Sequence, residues 1–256
     1  MGNRQRTTGE ESFSLLPISR YPLPVTPMLI DILTLFPSAC SAVLSSSILD
    51  RAAKSGIVEY RVHQLRDWAE GKHQQVDDVA FGGGAGMVLK PEPLCRAVDA
   101  LRERNMREDV SPFVIFPTPD GVPFTQEIAK QLSQRSNLLF VCGRYKGVDE
   151  RFRATRVDFE VSVGDYVLTG GELPSLTIID SVVRLLPGVL NDFESAEVDS
   201  FYDSKLLDCE WYTRPWEWEG QIPPEVLQNG HHAQIEAWRA QNRIERTKKR
   251  RPDLLK

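Results

Sequence analysis

NLLFVCGRYKGVDERFRATRVDFEVSVGDYVLTGGELPSLTIID, residues 137–180, opens with an unbroken apolar run from Leu138 to Cys142 that stops at Gly143 and Gly147. A second extended run, Phe159 to Val163 and resuming at Tyr166 to Leu168, stops at Gly170 and Gly171. Glu172 then starts a helical pattern with Leu176, Ile179, Val183 and Leu186 on one face, ended by Pro187-Gly188. Apolar runs without alternation predict strands buried on both faces, as in a parallel sheet flanked by helices. Glycine directly after such a strand lets backbone approach a ligand that a Cβ would hold off. The stretch therefore predicts a ligand pocket at strand C-termini.

The same alternation recurs upstream. LIDILTLF after Met28 is rich in β-formers, and Pro37-Ser38 starts a helix with Val43, Leu44, Ile48 and Ala52 inward, closed by Gly56. Ile57 to Leu65 reads as the next strand, which makes a right-handed βαβ unit. Leu94, Val98 and Leu101 mark a helix, FVIFP at 113–117 a strand, and Ile128 and Leu132 another helix. Strand alternating with helix predicts a doubly wound α/β domain over residues 28–190. Between its second strand and second helix lies a long glycine-bearing loop, HQQVDDVAFGGGAGMVL.

The flanks differ. Residues 1–27 carry Pro17, Pro22, Pro24 and Pro27 and no period, so they read as a disordered extension or as an upstream start before Met28. Residues 191–204, NDFESAEVDSFYDS, read as a linker that is mobile until something binds. Residues 205–256, with Trp211, Trp216, Trp218 and Trp238, read as a small helical domain. Its last helix is expected to turn Ile235, Trp238 and, more loosely, Ile244 inward and to leave Arg239, Arg243 and Arg246 outward.

Composition excludes several classes. At 41% apolar and 26% charged, the 256 residues suit a soluble globular protein with a sizeable core. No apolar stretch is long enough to span a bilayer. Cys40, Cys95, Cys142 and Cys209 form no C-x-x-C pair, which favours reduced structural thiols and a cytoplasmic location. The net charge of −5 argues against bulk coating of nucleic acid, but it is uneven: residues 221–256 carry +4 and the rest −9. The basic tail reads either as a phosphate-attracting patch or as a solvated helix end favoured by its dipole. No Ser or Cys sits in a nucleophile elbow, and His63, His73, His231 and His232 lack metal-ligand spacing, so no metal ligands are assigned. The Gly82–Gly86 loop lacks the Lys-Ser/Thr of a phosphate-binding loop and reads equally as a lid over a ligand or as a plain turn.

Three strand ends carry Gly or Pro: Pro117-Thr118-Pro119-Asp120-Gly121, Gly143 to Gly147, and Gly164-Asp165-Tyr166 with Gly170-Gly171. In a parallel sheet they fall on one edge and are expected to share a pocket.

At this point GRYKGVDER, SVGDYVLTGGELPSLTIIDSVVRLLPGVL, DSF, LLDCEWYTRP, the closing RT…RRPDLL and VDD…FGGG-GM carry a resemblance. From Met28 to the C-terminus the chain resembles the bacterial tRNA (guanine-37-N1)-methyltransferases, the TrmD family of the SPOUT superfamily. The resemblance implies an α/β fold with a parallel sheet and a deep C-terminal trefoil knot, and S-adenosyl-L-methionine as methyl donor. It implies a homodimer whose active site lies at the subunit interface, tRNA as partner, and assistance by Mg²⁺. Carried onto matching positions, it makes Thr118, Pro119, Gly143, Tyr145, Ser162, Val163, Gly164, Tyr166, Leu168, Gly170, Gly171 and Pro174 donor contacts. Gly86 and Ser195 become RNA contacts, Asp199 the general base and Arg184 its electrostatic partner. Those roles suit the chemistry, because guanine N1 must lose a proton before it attacks a methyl sulfonium, and charge then develops on O6.

Several positions depart from the family pattern. Lys146 stands where the family usually has Glu, Val79-Ala80 where it has Arg-Pro, and Val198 where it has an acid. Trp211 replaces a His and His231 an Asn, while Phe81, Ala85 and Thr118 are milder changes. Because Lys146 reverses a charge near a cationic sulfonium, Lys146→Glu is expected to speed turnover; a slower variant would mean a pocket rebuilt around the lysine. The competing readings are a relative that binds the donor but acts slowly or on another RNA base, and a catalytically silent RNA-binding module.

Overall fold

The computed structural model describes residues 26–105, 111–191, 194–202 and 204–255, apart from the side chains of Glu194 and Ser195. The extension expected over residues 1–27 lies outside them but for its last two residues.

All seven residues of β1 (Met28–Thr34) are buried, as the run without alternation requires. β1 is flanked by β2 (Val58–Gln64) and by the strand at Asn137–Val141, and five strands in all form one parallel sheet. Two short strands, β3 (Asp77–Val79) and β4 (Met87–Leu89), pair antiparallel within the expected glycine loop. With β5 (Phe113–Pro123), β6 (Asn137–Val141) and β7 (Phe159–Ser162), the main sheet has the order β2-β1-β6-β5-β7. Along β6 and just beyond it, Leu138, Phe140 and Cys142 enter one apolar core, while Leu139 and Val141 enter the other. Each such side chain removed from water contributes on the order of 1.5–3 kcal/mol. Asp31, the charged residue inside β1, is fully buried and is satisfied by His63 and by Asn105 Nδ2 at 2.6 Å.

Helices cover both faces. The single helix expected from Pro37 is two, α1 (Pro37–Leu44) and α2 (Ser47–Lys54). Ser45 and Ser46 turn their hydroxyls back onto the Ala42 and Val43 carbonyls, which ends the first helix. The break leaves Val43 exposed rather than inward, while Leu44 and Ala52 are buried. α3 (Pro91–Arg104) and α5 (Glu150–Arg156) pack together on the second core, with Leu94, Val98, Leu101 and Phe152 buried there. α4 (Gln126–Ser133) and α6 (Glu172–Val183) pack together on the first, and α6 also meets α1 and α2.

Two extended stretches differ from expectation. Tyr166 to Leu168 is not strand, because Gly164 at φ +146° turns the chain and Tyr166 N donates back to the Gly164 carbonyl at 2.9 Å. The linker holds a short helix, α7 (Glu194–Glu197), and its described part is anchored. Ala196 is buried, Ser200 Oγ accepts from Asp208 N at 2.8 Å, and the Lys130 ammonium lies 4.0 Å over the Tyr202 ring.

Beyond residue 204 the expected helical domain is one long helix, α8 (His232–Arg250), between 3₁₀ turns at Glu225–Leu227 and Pro252–Leu255. Ile235, Trp238 and Ile244 are half-buried. Its arginines do not face outward as expected. Arg246 donates to the carbonyls of Asp208 and Cys209 at 3.1 and 2.7 Å, Arg243 to that of Leu207, and Arg239 lies 4.8 Å over the Trp211 ring. The segment 207–211 has carbonyls and an indole to satisfy, and these side chains satisfy them. The exposed cations of α8 are Lys248, Lys249 and Arg250.

Candidate active site

Because the sheet is parallel, the C-terminal ends of β5, β6 and β7 lie along one edge, and they enclose a cavity of about 550 Å³. The first wall comes from β5. Its pairing with β7 breaks between Pro117 and Val122, both opposite Val161, so residues Thr118 to Gly121 bulge from the strand. Gly121 permits this, since a Cβ there would lie 2.6 Å from the carbonyl carbon of Glu160. Thr118 and Pro119 of the bulge line the cavity. Thr118 Oγ1 donates to Asp120, whose carboxyl is held below the usual range by that bond and by the Arg153 guanidinium.

The second wall is the turn Gly143 to Gly147 after β6. Tyr145 takes a left-handed φ of 61° and Gly147 one of 120°, and Gly147 N closes the turn on the Arg144 carbonyl at 3.0 Å. β4 hangs on this turn, since Lys146 N donates to the Met87 carbonyl and Leu89 N to that of Gly147, each at 3.0 Å. Gly86 and Met87 are thereby brought to the rim. The third wall runs from Ser162 through Val163, Gly164, Tyr166 and Leu168 to Gly170, Gly171 and Pro174.

Gly170 and Gly171 serve close approach, not left-handed backbone. Gly171 donates to the Gly143 carbonyl at 2.8 Å, and its Cβ would lie 2.8 Å from Cys142 Cα. A Cβ on Gly170 would meet Arg144 Cδ and Glu172 Oε2, both at 2.6 Å. Arg144 is locked in turn, with Nη2 3.0 Å from Glu172 Oε2 and Nη1 3.3 Å from the Thr169 carbonyl. Glu172 is 3% exposed and also accepts from Thr34 Oγ1 at 2.6 Å. This Arg144–Glu172–Thr34 link ties β1, β6 and α6 together under the cavity, and sequence reasoning missed it. Lys146, which the sequence marked as a departure near the sulfonium, also lines the cavity.

All twelve positions expected to touch a donor line this one cavity, and Gly86 lies at its rim. A family model for tRNA (guanine-1)-methyltransferase TrmD matches residues 28–256. The chain belongs to that family.

Similar proteins bear comparable names. The tRNA (guanine-N(1)-)-methyltransferase of Syntrophotalea carbinolica is 54% identical over 89% of this chain and 90% of its own. Those of Brevibacillus brevis and Chlorobaculum tepidum are 52% and 49% identical, again over 89% of this chain and over 91% and 97% of theirs.

The two residues expected to act on the base stand elsewhere. Arg184 caps α6 at its C-terminal end and its Nη2 lies 2.6 Å from Asp199 Oδ2, both half-exposed. Neither lines the cavity, which lies at the other end of the helix. Twelve helical residues span roughly 18 Å at 1.5 Å per residue. Ser195 falls in α7, and its side chain is outside the described residues. The four cysteines are free, and burial pushes the Cys142 thiol up, as befits an inert core position. Among the described residues no three His, Cys, Asp or Glu side chains stand together to hold a metal ion, and no helix is long and apolar enough to cross a membrane.

Proposed function

We propose that this chain transfers a methyl group from S-adenosyl-L-methionine to N1 of guanosine 37 of tRNA. The observation that carries the reading is the convergence of three neighbouring strand ends, rich in glycine and proline, on one cavity in a TrmD-family chain. The cavity fits the donor in volume and in kind, being walled by apolar side chains and by backbone that a Cβ would displace. Thr118, Pro119, Gly143, Tyr145, Ser162, Val163, Gly164, Tyr166, Leu168, Gly170, Gly171 and Pro174 would hold it. When bound, the donor supplies an electrophilic methyl group on a sulfonium.

Asp199 accepts the N1 proton of the target guanine, and Arg184, already paired with it, turns to the charge developing on O6. The helix length between this pair and the cavity of the same chain supports a homodimer in which each subunit's linker closes over the other's cavity. Val167, 87% exposed, and Leu173, 59% exposed, flank the cavity and suit such a contact. The domain division at residues 28–190, 191–204 and 205–256 follows the sheet, the anchored linker and α8. A C-terminal trefoil knot is supported by the path after edge strand β7. It passes β5 to seat Gly170 and Gly171 on the end of β6, and α6 then packs against α1 and α2. Lys248, Lys249 and Arg250 would hold phosphates of the anticodon stem, and Gly86 and Ser195 the target loop. Among the described residues no acidic cluster is placed to hold Mg²⁺, and a cation, Lys146, occupies the rim. A cytoplasmic location follows from the substrate.

Incubation with radiolabelled donor and unmodified tRNA carrying guanosines at positions 36 and 37 tests the reading. Label in N1-methylguanosine supports it. Label in another base, or RNA binding without transfer, overturns it.

A further inference from the structure

The cavity is lined by two cationic side chains, Arg144 and Lys146, and among the described residues by no Asp or Glu. Their situations differ. Arg144 is neutralised by Glu172, with Nη2–Oε2 at 3.0 Å and Nε–Oε1 at 3.3 Å, and is further held by the Thr169 carbonyl and the Phe36 ring. Among the described residues no carboxylate pairs with the Lys146 ammonium. Its backbone is pinned to Met87, and its methylenes lie against Gly86, where an added Cβ would come within 3.0 Å of Lys146 Cγ. Gly86 at φ +97° leaves that surface bare for the lysine stem.

A cavity with one uncompensated cation at its rim favours an anionic group there and disfavours a sulfonium. The donor carries one anionic group, the carboxylate of its amino-acid end. We propose that Lys146 binds that carboxylate and so sets which end of the donor lies at the Gly86–Met87 rim, an inference that rests on the cavity being the donor site. The lysine is then a positioning residue. Lys146→Glu would place like charges together and slow the enzyme, the opposite of the expectation drawn from the family pattern alone.

Titration calorimetry on the full chain with S-adenosylmethionine and with 5′-methylthioadenosine, which lacks the amino-acid end, tests this. Lys146→Met should weaken S-adenosylmethionine about tenfold, the worth of a charge-assisted hydrogen bond, and leave 5′-methylthioadenosine unchanged. Lys146→Arg should keep most of the affinity. Equal loss for both ligands, or no loss for either, overturns the proposal, as does a variant weakened only toward tRNA, which would assign the lysine to an RNA phosphate. Wild-type protein that binds neither ligand would instead sink the donor-site reading beneath it.

Discussion

Arg184 and Asp199 form a salt bridge of 2.6 Å at the C-terminal end of α6, a helix length from the cavity that the N-terminus of the same helix helps to build. The pair joins the end of the sheet domain to the linker, so it holds the linker in place before any RNA arrives. On the proposed reading, binding of guanine would exchange this bond for contacts to the base, a form of induced fit.

Asp199→Asn keeps the shape but cannot take a proton. Turnover should fall by about 10²–10⁴-fold, the usual worth of a positioned base. Calorimetry should find donor affinity unchanged; a collapse of donor binding would make Asp199 structural.

Assembly in trans has a sharper signature. Asp199→Asn spoils a linker, and Gly143→Val spoils a cavity by pushing methyl groups past the Phe116 ring, already 3.0 Å from where a Cβ would stand. Each variant alone should be inactive. Co-refolded, they should regain about a quarter of wild-type activity, because half the dimers are mixed and each has one intact composite site. No recovery would place linker and cavity of one site in the same subunit.

Gly171→Ala should destabilise the fold as well as weaken the donor. Its Cβ would press on Cys142 Cα and, at 2.9 Å, on Gly143 N, and backbone at a strand end cannot move aside as a side chain can. Overpacking of this kind costs about 1–3 kcal/mol, and thermal unfolding would register it. Donor affinity lost with the melting temperature intact would mean that the methyl group enters the cavity instead.

On α8 the basic residues divide by contact. Arg246→Ala removes bonds to two carbonyls and should lower stability with little change in the salt dependence of tRNA binding. Lys249→Ala should leave the melt alone and reduce the salt slope of tRNA binding by about one counterion. The reverse result would turn the helix around.

Acid sensitivity follows from Asp120. Its folded pKa is depressed below 3.8 by the Thr118 hydroxyl and Arg153, so its stabilisation is present above that value and is lost as pH falls through the depressed one. The group is largely exposed, which limits the effect to about 0–1 kcal/mol. Thr118→Val should therefore move acid unfolding slightly toward higher pH; an unchanged acid limb would show that the hydroxyl contributes nothing.

Much of the fold was legible because burial and backbone freedom are local properties. Runs such as Leu138 to Cys142 have no polar face to turn to water, so they had to be strands covered on both sides, and the glycines after them marked where backbone is bared. Local period misjudged α1 and α2, where serine hydroxyls compete for the carbonyls, and it misjudged Tyr166 to Leu168, which Gly164 turns out of the sheet.

Which residues meet was another matter. Sequence by itself determined the five strands of the main sheet, their glycine ends and, through long matching motifs, the family. Only the tertiary structure decided that Glu172 reaches Arg144 and Thr34, that Arg246 spends its guanidinium on the chain's own carbonyls, that Arg184 and Asp199 stand apart from the cavity, and that among the described residues no carboxylate pairs with Lys146. These depend on strand order and on partners far away in the chain, and no pattern among neighbouring residues encodes a contact between elements that only packing brings together.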